Sequence, residues 1–448
     1  MPPDGIEVAI TDLSHDGLGV GRIDGEVVFV PGTLPGERAL VRLLPRRRRR
    51  LAALVGLEQR SPQRRRPACI LAADCGGCSL QALADEAQRV WKGRTVAETL
   101  QRIGGLEVPE TAPPAPASCL GYRNRAVIPL ERRADGRLRA GYYRRGSHRI
   151  VNMNRCPVLD PRLDRLIAPL KADLEASGWP VDHHRGILRH LALRLGHHTG
   201  EILITLIATE AGLEGLEPLA ARWLERWPEV VGVGLNLQPH PDNRLFGPET
   251  LTVAGRGWLE EHFAGVRLQV GAETFFQVNT PEAERAAARI LAGLEGEPAQ
   301  LIDAYCGIGT FSLPLAARGW RILGIERLPA AVDLARRNAA WNGLSERARF
   351  AVGGVDEALA GCLGEGAPPA ALLLDPPRKG LDPESLSAIE AAPPDQLLYL
   401  SCDPSTLARD LGRLCGSGPY RLASLETFDF FPHTTHIESL AVLRRGGR

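Results

Sequence analysis

The sequence predicts an α/β protein: a doubly wound, Rossmann-like domain preceded by an OB-like β-barrel and a mixed α+β central domain. Three observations predict it. From about Val266 onward, apolar runs (Gln300-Leu301-Ile302, Arg321 to Ile325, Ala370 to Leu374, Leu397 to Leu400) alternate with helical stretches, as in a parallel sheet covered on both faces. Residues Ile6 to Leu57 instead alternate short apolar runs such as Val27-Val28-Phe29-Val30 with Gly, Pro and Asp breaks, as small antiparallel barrels do. Between these regions, Leu188 to Leu195 and Glu201 to Ile207 flank His197-His198-Thr199-Gly200, a hairpin pattern.

At 448 residues with 44% apolar composition the chain is long enough for several domains, each with its own core. The boundaries expected are 1–60, 61–265 and 266–448. An amphipathic helix is expected from about Leu83 to Ile103, followed by a Pro/Ala connector from Pro109 to Ala117. No apolar run approaches the length needed to cross a bilayer, and Met1-Pro2-Pro3-Asp4 lacks the basic and apolar regions of a secretory signal. A soluble, cytoplasmic monomer is the expectation, with no membrane partner.

A formal net charge of +1 hides a local imbalance: Arg42, Arg46 to Arg50, Arg60 and Arg64 to Arg66 share their window with a single acid, Glu58. Lysine occurs only at positions 92, 171 and 379, so arginine richness is partly a bias of the whole chain, but its clustering beside a small barrel points to nucleic-acid phosphates. The segment Ile6 to Val30, with Asp16-Gly17-Leu18-Gly19-Val20-Gly21, resembles the TRAM domain, an RNA-binding barrel. His183, His184, His197 and His198 fall on turns without matching carboxylates, which argues for solvated side chains rather than metal ligands.

In the last third, a strand ending at Asp303 runs into Tyr305-Cys306-Gly307-Ile308-Gly309-Thr310 and a helix from Phe311 to Ala317. Backbone N–H groups and a helix N-terminus there suit a nucleoside cofactor. Glu326 ends the next strand, where an acid accepts hydrogen bonds from ribose hydroxyls. The third glycine of the dinucleotide fingerprint is missing, which favours S-adenosylmethionine over NAD. Asp375-Pro376-Pro377-Arg378-Lys379-Gly380 adds a rigid loop at the same sheet edge, and Arg378 after the prolines argues against an amino-group methylating enzyme.

Leu397 to Leu400 delivers Ser401-Cys402-Asp403-Pro404 to that edge, just before a helix opening near Ser405. Carbon 5 of a pyrimidine accepts a methyl group once a thiolate has added at carbon 6, so a cysteine beside the cofactor loop fits that chemistry. The helix after Cys402 favours its thiolate and Asp403 opposes it. A base must then remove the proton from carbon 5. Glu438 in His436-Ile437-Glu438 is the candidate, with His436 as rival.

Together, Asp375-Pro-Pro-Arg-Lys-Gly, Ser401-Cys402-Asp403-Pro404 and His436-Ile437-Glu438 resemble the RNA uracil-5-methyltransferase family over nearly the whole chain. The resemblance implies Cys402 as nucleophile and Glu438 as base. It implies cofactor contacts from Gln277, Tyr305, Thr310, Glu326 and Asp375, with Phe275 and Arg125 near the target base. Two positions depart from the family pattern: Asp403 replaces a common Asn, and Gly354 stands where an acid is usual, so an adenine contact there would fall to Asp356.

Cys69, Cys75 and Cys78, as C-x5-C-G-G-C, with Cys156 far downstream, suit an iron–sulfur cluster, and zinc stays open. The resemblance to the ribosomal branch of the family implies a [4Fe-4S] cluster. Cys119, Cys306, Cys362 and Cys415 read as packing residues. The expected activity is S-adenosylmethionine-dependent conversion of a uridine in 23S rRNA to 5-methyluridine. Transfer RNA, cytosine as the target base, and an RNA-binding protein with an inactive methyltransferase fold are the alternatives.

Overall fold

A computed structural model describes residues 5–45, 48–108, 112–240, 244–364 and 369–446. The chain begins with β1 (Ile6–Leu13), β2 (Gly19–Ile23), β3 (Glu26–Val30), β4 (Arg38–Leu43) and β5 (Ala52–Gln59). These form an antiparallel sheet in the order β3-β2-β1-β4-β5. It curls until Phe29 of β3 bridges Leu51 beside β5, so Val8, Ile10, Val28, Val30 and Val41 close on a core of their own. Alternation along each strand is what sends these residues to one side.

The cysteine segment leads into α1 (Asp85–Gly104), then β6 (Arg125–Arg132), β7 (Leu138–Ala140), α2 (Pro161–Ala176), β8 (Leu188–Leu195), β9 (Ile202–Ala208), α3 (Leu216–Arg226), β10 (Val230–Leu237) and β11 (Glu249–Gly255). Strands β6 to β11 make a mixed sheet in the order β11-β10-β9-β8-β6-β7, and β8 and β9 form the expected hairpin around the turn at His197. Its core, with α2 and α3, includes Ile128, Leu163, Leu191, Ile204 and Trp223. A separate hairpin, β12 (Trp258–Phe263) and β13 (Val266–Gly271), packs into the third core.

The remainder is α4 (Thr280–Ala292), β14 (Gln300–Ala304), α5 (Ser312–Ala317), β15 (Arg321–Glu326), α6 (Pro329–Trp341), β16 (Ala348–Val352), α7 (Val355–Gly364), β17 (Ala371–Leu374), α8 (Pro383–Ala391), β18 (Gln396–Ser401), α9 (Pro404–Gly416), β19 (Tyr420–Phe428) and β20 (Glu438–Arg445). Seven strands run β16-β15-β14-β17-β18-β20-β19, the first five parallel and β20 antiparallel to both neighbours. The order reverses around β14, which places the ligand crevice of an open sheet at the ends of β14, β15 and β17.

Helix α1 lies within the 61–265 stretch but covers the seven-stranded domain. Its Val96 and Leu100 join the core of Leu397, Tyr399, Leu407 and Leu411. Two glycines allow that approach: a Cβ on Gly104 would stand 2.7 Å from the Ala408 carbonyl oxygen, and one on Gly412 would stand 2.9 Å from the Gly104 carbonyl oxygen. Beyond it, Ala112 accepts a hydrogen bond from Thr427 of β19, while Pro109 to Thr111 of the connector lie outside the described residues.

Several arginines of the basic stretch have structural partners that the sequence window did not contain. Arg64 donates to the buried carboxylate of Glu37, Arg65 is bidentate on Asp85, Arg49 meets Asp16 and Arg50 meets Glu26. Arg42, Arg48, Arg60 and Arg66 are exposed, with no ion pair among the described residues. Arg46 and Arg47 lie outside the described residues.

Candidate active site

The glycine loop follows β14. Tyr305 is held at φ +72°, and Gly307 and Gly309 at +56° and +84°, a left-handed run that only glycine adopts without strain. Gly307 N–H donates to the Glu326 carboxylate at 3.2 Å, and Leu328 N–H donates to its other oxygen at 2.8 Å. Glu326 is thereby aimed across the loop at the end of β15. Asp303 is buried beneath with Ser312, and burial raises its carboxyl to about 7. Gln277 is held from behind, its carbonyl accepting from Asn124 at 2.9 Å, while its side-chain amide has no partner among the described residues.

Gly354 carries its own explanation. A Cβ there would stand 2.2 Å from an Asp356 carboxylate oxygen and 3.0 Å from an Arg327 nitrogen. Asp356, 3.2 Å from Arg327, fills the space a side chain at 354 would take.

Cys402 leaves the end of β18. Ser401 pairs with Ser439 across the β18–β20 ladder, and continuing that register by one residue sets Cys402 opposite Glu438. Burial raises the Cys402 thiol to about 12, with Glu438 and then Asp375 adding to the rise and Arg378 opposing it. Glu438 is 5% exposed. Burial and then Asp375 push its carboxyl well above the usual range, and no hydrogen bond reaches it among the described residues. Asp375 itself is raised to about 7 by burial and by Asp303, although the residue as a whole is half-buried. One thiol and two proton-hungry carboxyls thus meet where β17 and β18 end and β20 begins.

His436, the rival base, differs. Its ring lies 3.3 Å from Arg378, and burial with that positive neighbour lowers it to about 4, leaving a weak proton acceptor. Asp403 also has another occupation: its carboxylate caps α9 by accepting from Ser405 and Thr406 N–H at 2.9 and 3.1 Å. It is the least of the influences on the thiol. Asp-Pro-Ser-Thr is a capping sequence with proline in the first turn, a signal present in the chain itself.

The thiol opens on a cleft of about 810 Å³ whose far walls come from the barrel and from α1, including Leu13, Val20, Phe29, Trp91 and Thr95. Sequence reasoning did not find these two walls, because they are brought in from distant parts of the chain. On the central domain, Arg125 donates to the Ala272 carbonyl at 3.4 Å and lies 5.2 Å from the Phe246 ring centre, while Phe275, three residues past Ala272, is 58% exposed.

Cys69, Cys75, Cys78 and Cys156 come together around a smaller cavity of about 180 Å³ with Tyr122, Arg123 and Tyr142. Burial raises Cys78 to about 11 and Cys156 to about 12, and neighbouring thiols add to both. Leu71 and Gly77 N–H donate to the sulfurs of Cys69 and Cys75 at 3.4 Å. Among the described residues, no three His, Cys, Asp or Glu side chains are grouped to hold a single metal ion. The histidine pairs go elsewhere: His183 stacks near His184 and Tyr143, and His198 meets Glu284.

The seven-stranded sheet, its glycine loop and the acid at the end of β15 define a Rossmann-like methyltransferase with an N-terminal TRAM domain. Residues 5–52 match the TRAM domain model and residues 368–446 match the tRNA (Uracil-5-)-methyltransferase model. A Parasynechococcus marenigrum protein named an RNA methyltransferase is 52% identical over 98% of this chain and 95% of its own. One from Nostoc sp. is 46% identical over 98% of this chain and 96% of its own. The crystal structure of Pyrococcus abyssi tRNA (uracil-54, C5)-methyltransferase with S-adenosyl-L-homocysteine superposes at TM-score 0.78 and 27% identity, covering 98% of this chain and all of that one. The chain belongs to the S-adenosylmethionine-dependent RNA uracil-5-methyltransferase family.

Proposed function

We propose that this protein methylates carbon 5 of a specific uridine in 23S rRNA through a covalent adduct with Cys402. The observation that carries the reading is that Cys402 lines a cleft walled by the TRAM barrel and stands, one residue past the β18–β20 ladder, opposite Glu438. The Cys402 thiol first gives its proton to solvent; the thiolate then adds to carbon 6 of uracil, and the ring electrons move toward carbon 5 and the 4-carbonyl. S-adenosylmethionine, when bound, supplies the methyl group and a positive sulfonium that favours the thiolate. Carbon 5 takes the methyl group, the Glu438 carboxylate takes the carbon 5 proton, the ring double bond re-forms, and the carbon 6–sulfur bond breaks to release the thiolate. A carboxylate with the high proton affinity of Glu438 is the better base for this step than His436.

Gln277, Tyr305, Thr310, Glu326 and Asp375 are assigned to the cofactor, with Asp356 taking the adenine contact. Phe275 and Arg125 are assigned to the target base. Cys69, Cys75, Cys78 and Cys156 are assigned to a [4Fe-4S] cluster. Thiols ringing one cavity, N–H groups on two sulfurs and the nearby Arg123 suit a negatively charged cluster. Zinc stays open for the same four sulfurs. The cluster would hold the early segment to the central domain. The three domains 1–60, 61–265 and 266–448, a monomer and a cytoplasmic location complete the reading.

Transfer RNA is the second reading, favoured by the full-length likeness to the Pyrococcus abyssi enzyme. Nucleoside mapping of RNA from a strain lacking this protein separates them. Loss of 5-methyluridine from 23S rRNA alone is the expected result, and loss from transfer RNA alone favours the second reading. Loss of 5-methylcytidine moves the target base to cytosine, and no change in either RNA favours the inactive fold.

A further inference from the structure

Among the described residues the carboxylate of Glu438 has no hydrogen bond to orient it, so its aim depends on the backbone that leads into β20. That backbone, residues 429–437, is irregular and contains His433 at φ +68°, a conformation a side-chain-bearing residue keeps only when its surroundings enforce it. The enforcing contacts come mainly from outside the Rossmann-like domain. Asn279 donates to the Phe430 carbonyl at 3.3 Å, and Tyr122 donates to the Pro432 carbonyl at 3.2 Å. Leu80 N–H donates to the His433 carbonyl at 2.8 Å, and the Gln88 side chain accepts from His433 N–H at 2.9 Å.

Lys92 is the most unusual member. It is one of three lysines in the chain and is 0% exposed. Its ammonium donates to Asp429 at 2.6 Å and to the Phe431 carbonyl at 3.1 Å. A buried ion pair is weak evidence for stability, since an apolar pair of similar volume often does as well, but it fixes geometry. Asp429 directly follows Phe428, the residue paired with Glu438 in the β19–β20 ladder. The lysine therefore holds the turn at both the ladder end and the Phe431 carbonyl.

We propose that Lys92 and Gln88 of α1 are positioning residues for the proton-removal step, holding the 429–437 turn so that Glu438 faces the carbon 5 proton of the Cys402-bound uracil. This rests on the proposed function, with Cys402 as nucleophile and Glu438 as base. Misplacing a base by about 1 Å costs on the order of 100-fold in the step it serves. Attack and methyl transfer precede that step and do not need the base, so a displaced Glu438 arrests the enzyme as a methylated RNA–protein adduct.

The test compares wild type, Lys92→Met, Gln88→Leu and the double variant Lys92→Met/Asp429→Leu. Each is incubated with S-adenosylmethionine and RNA carrying either uridine or 5-fluorouridine, and adducts are resolved on denaturing gels. The double variant replaces the whole ion pair, so its melting temperature reports whether the fold survives while the carbonyl clamp is still lost. The expected result is a wild-type yield of the fluorouridine adduct, a methylated adduct that accumulates on ordinary uridine, and release slowed about 100-fold. Wild-type release on uridine by the folded double variant and by Gln88→Leu overturns the proposal, as does slowed turnover with no accumulated adduct. Absence of a fluorouridine adduct in the wild type would instead reject the covalent reading itself.

Discussion

Cys402 and the set Cys69, Cys75, Cys78 and Cys156 are all thiols lining cavities, and burial makes Cys402, Cys75, Cys78 and Cys156 harder to ionise, yet what faces them differs. Around Cys402 the neighbours are carboxyls, Glu438 and Asp375, and the cavity is a wide cleft reaching the barrel. Around the other four the neighbours are one another, and the cavity is less than a quarter of that size. A lone sulfur beside proton acceptors suits a reaction in which a bond to it forms and breaks. Sulfurs that oppose one another's ionisation suit a cation that displaces their protons and stays. Type of residue and burial are alike, and the company decides the chemistry.

The largest effect that would break this comparison lies in the four-sulfur cavity. Cys156→Ser is expected to abolish bound iron and sulfide and to lower the melting temperature by roughly 10 °C, because a group bound only by the folded chain stabilises it. Elemental analysis and calorimetry read both. Iron content equal to wild type would remove Cys156 from the set. A smaller effect sharpens the catalytic side. Asp303 ionises near pH 4 in an unfolded chain and at about 7 when folded, so the folded protein holds the extra proton between those values. Stability is therefore expected to fall as pH rises from about 4 to about 7. Asp303→Asn should flatten that slope and raise the melting temperature at pH 8 by about 3 °C; a slope identical to wild type would show that this carboxyl is not the cause.

Much of this was legible in the sequence because it is local. The strands ending at Ala304, Glu326, Leu374 and Ser401 announce themselves by apolar runs broken by glycine or proline, and the chemistry-bearing residues follow those breaks directly. The hairpin at His197 and the helix after Asp403 were readable for the same reason. What escaped is non-local. Glu37 and Asp85, which occupy Arg64 and Arg65, lie 27 and 20 residues from their partners, outside the window in which the arginines looked unopposed. Lys92 looked like any helix lysine, since its partner Asp429 is 337 residues away. Packing of α1 against α9 depends on two glycines in separate domains of the chain, which no single stretch reveals.

The most direct test of the central claim is to trap the adduct. Wild-type protein is incubated with S-adenosylmethionine and 5-fluorouridine-containing RNA, digested, and the modified peptide is sequenced by mass spectrometry. The expected result is a methylated fluorouracil on Cys402, absent in Cys402→Ala, whose iron content stays at the wild-type level. An adduct on another residue, or methylation that proceeds undiminished in Cys402→Ala, would contradict it.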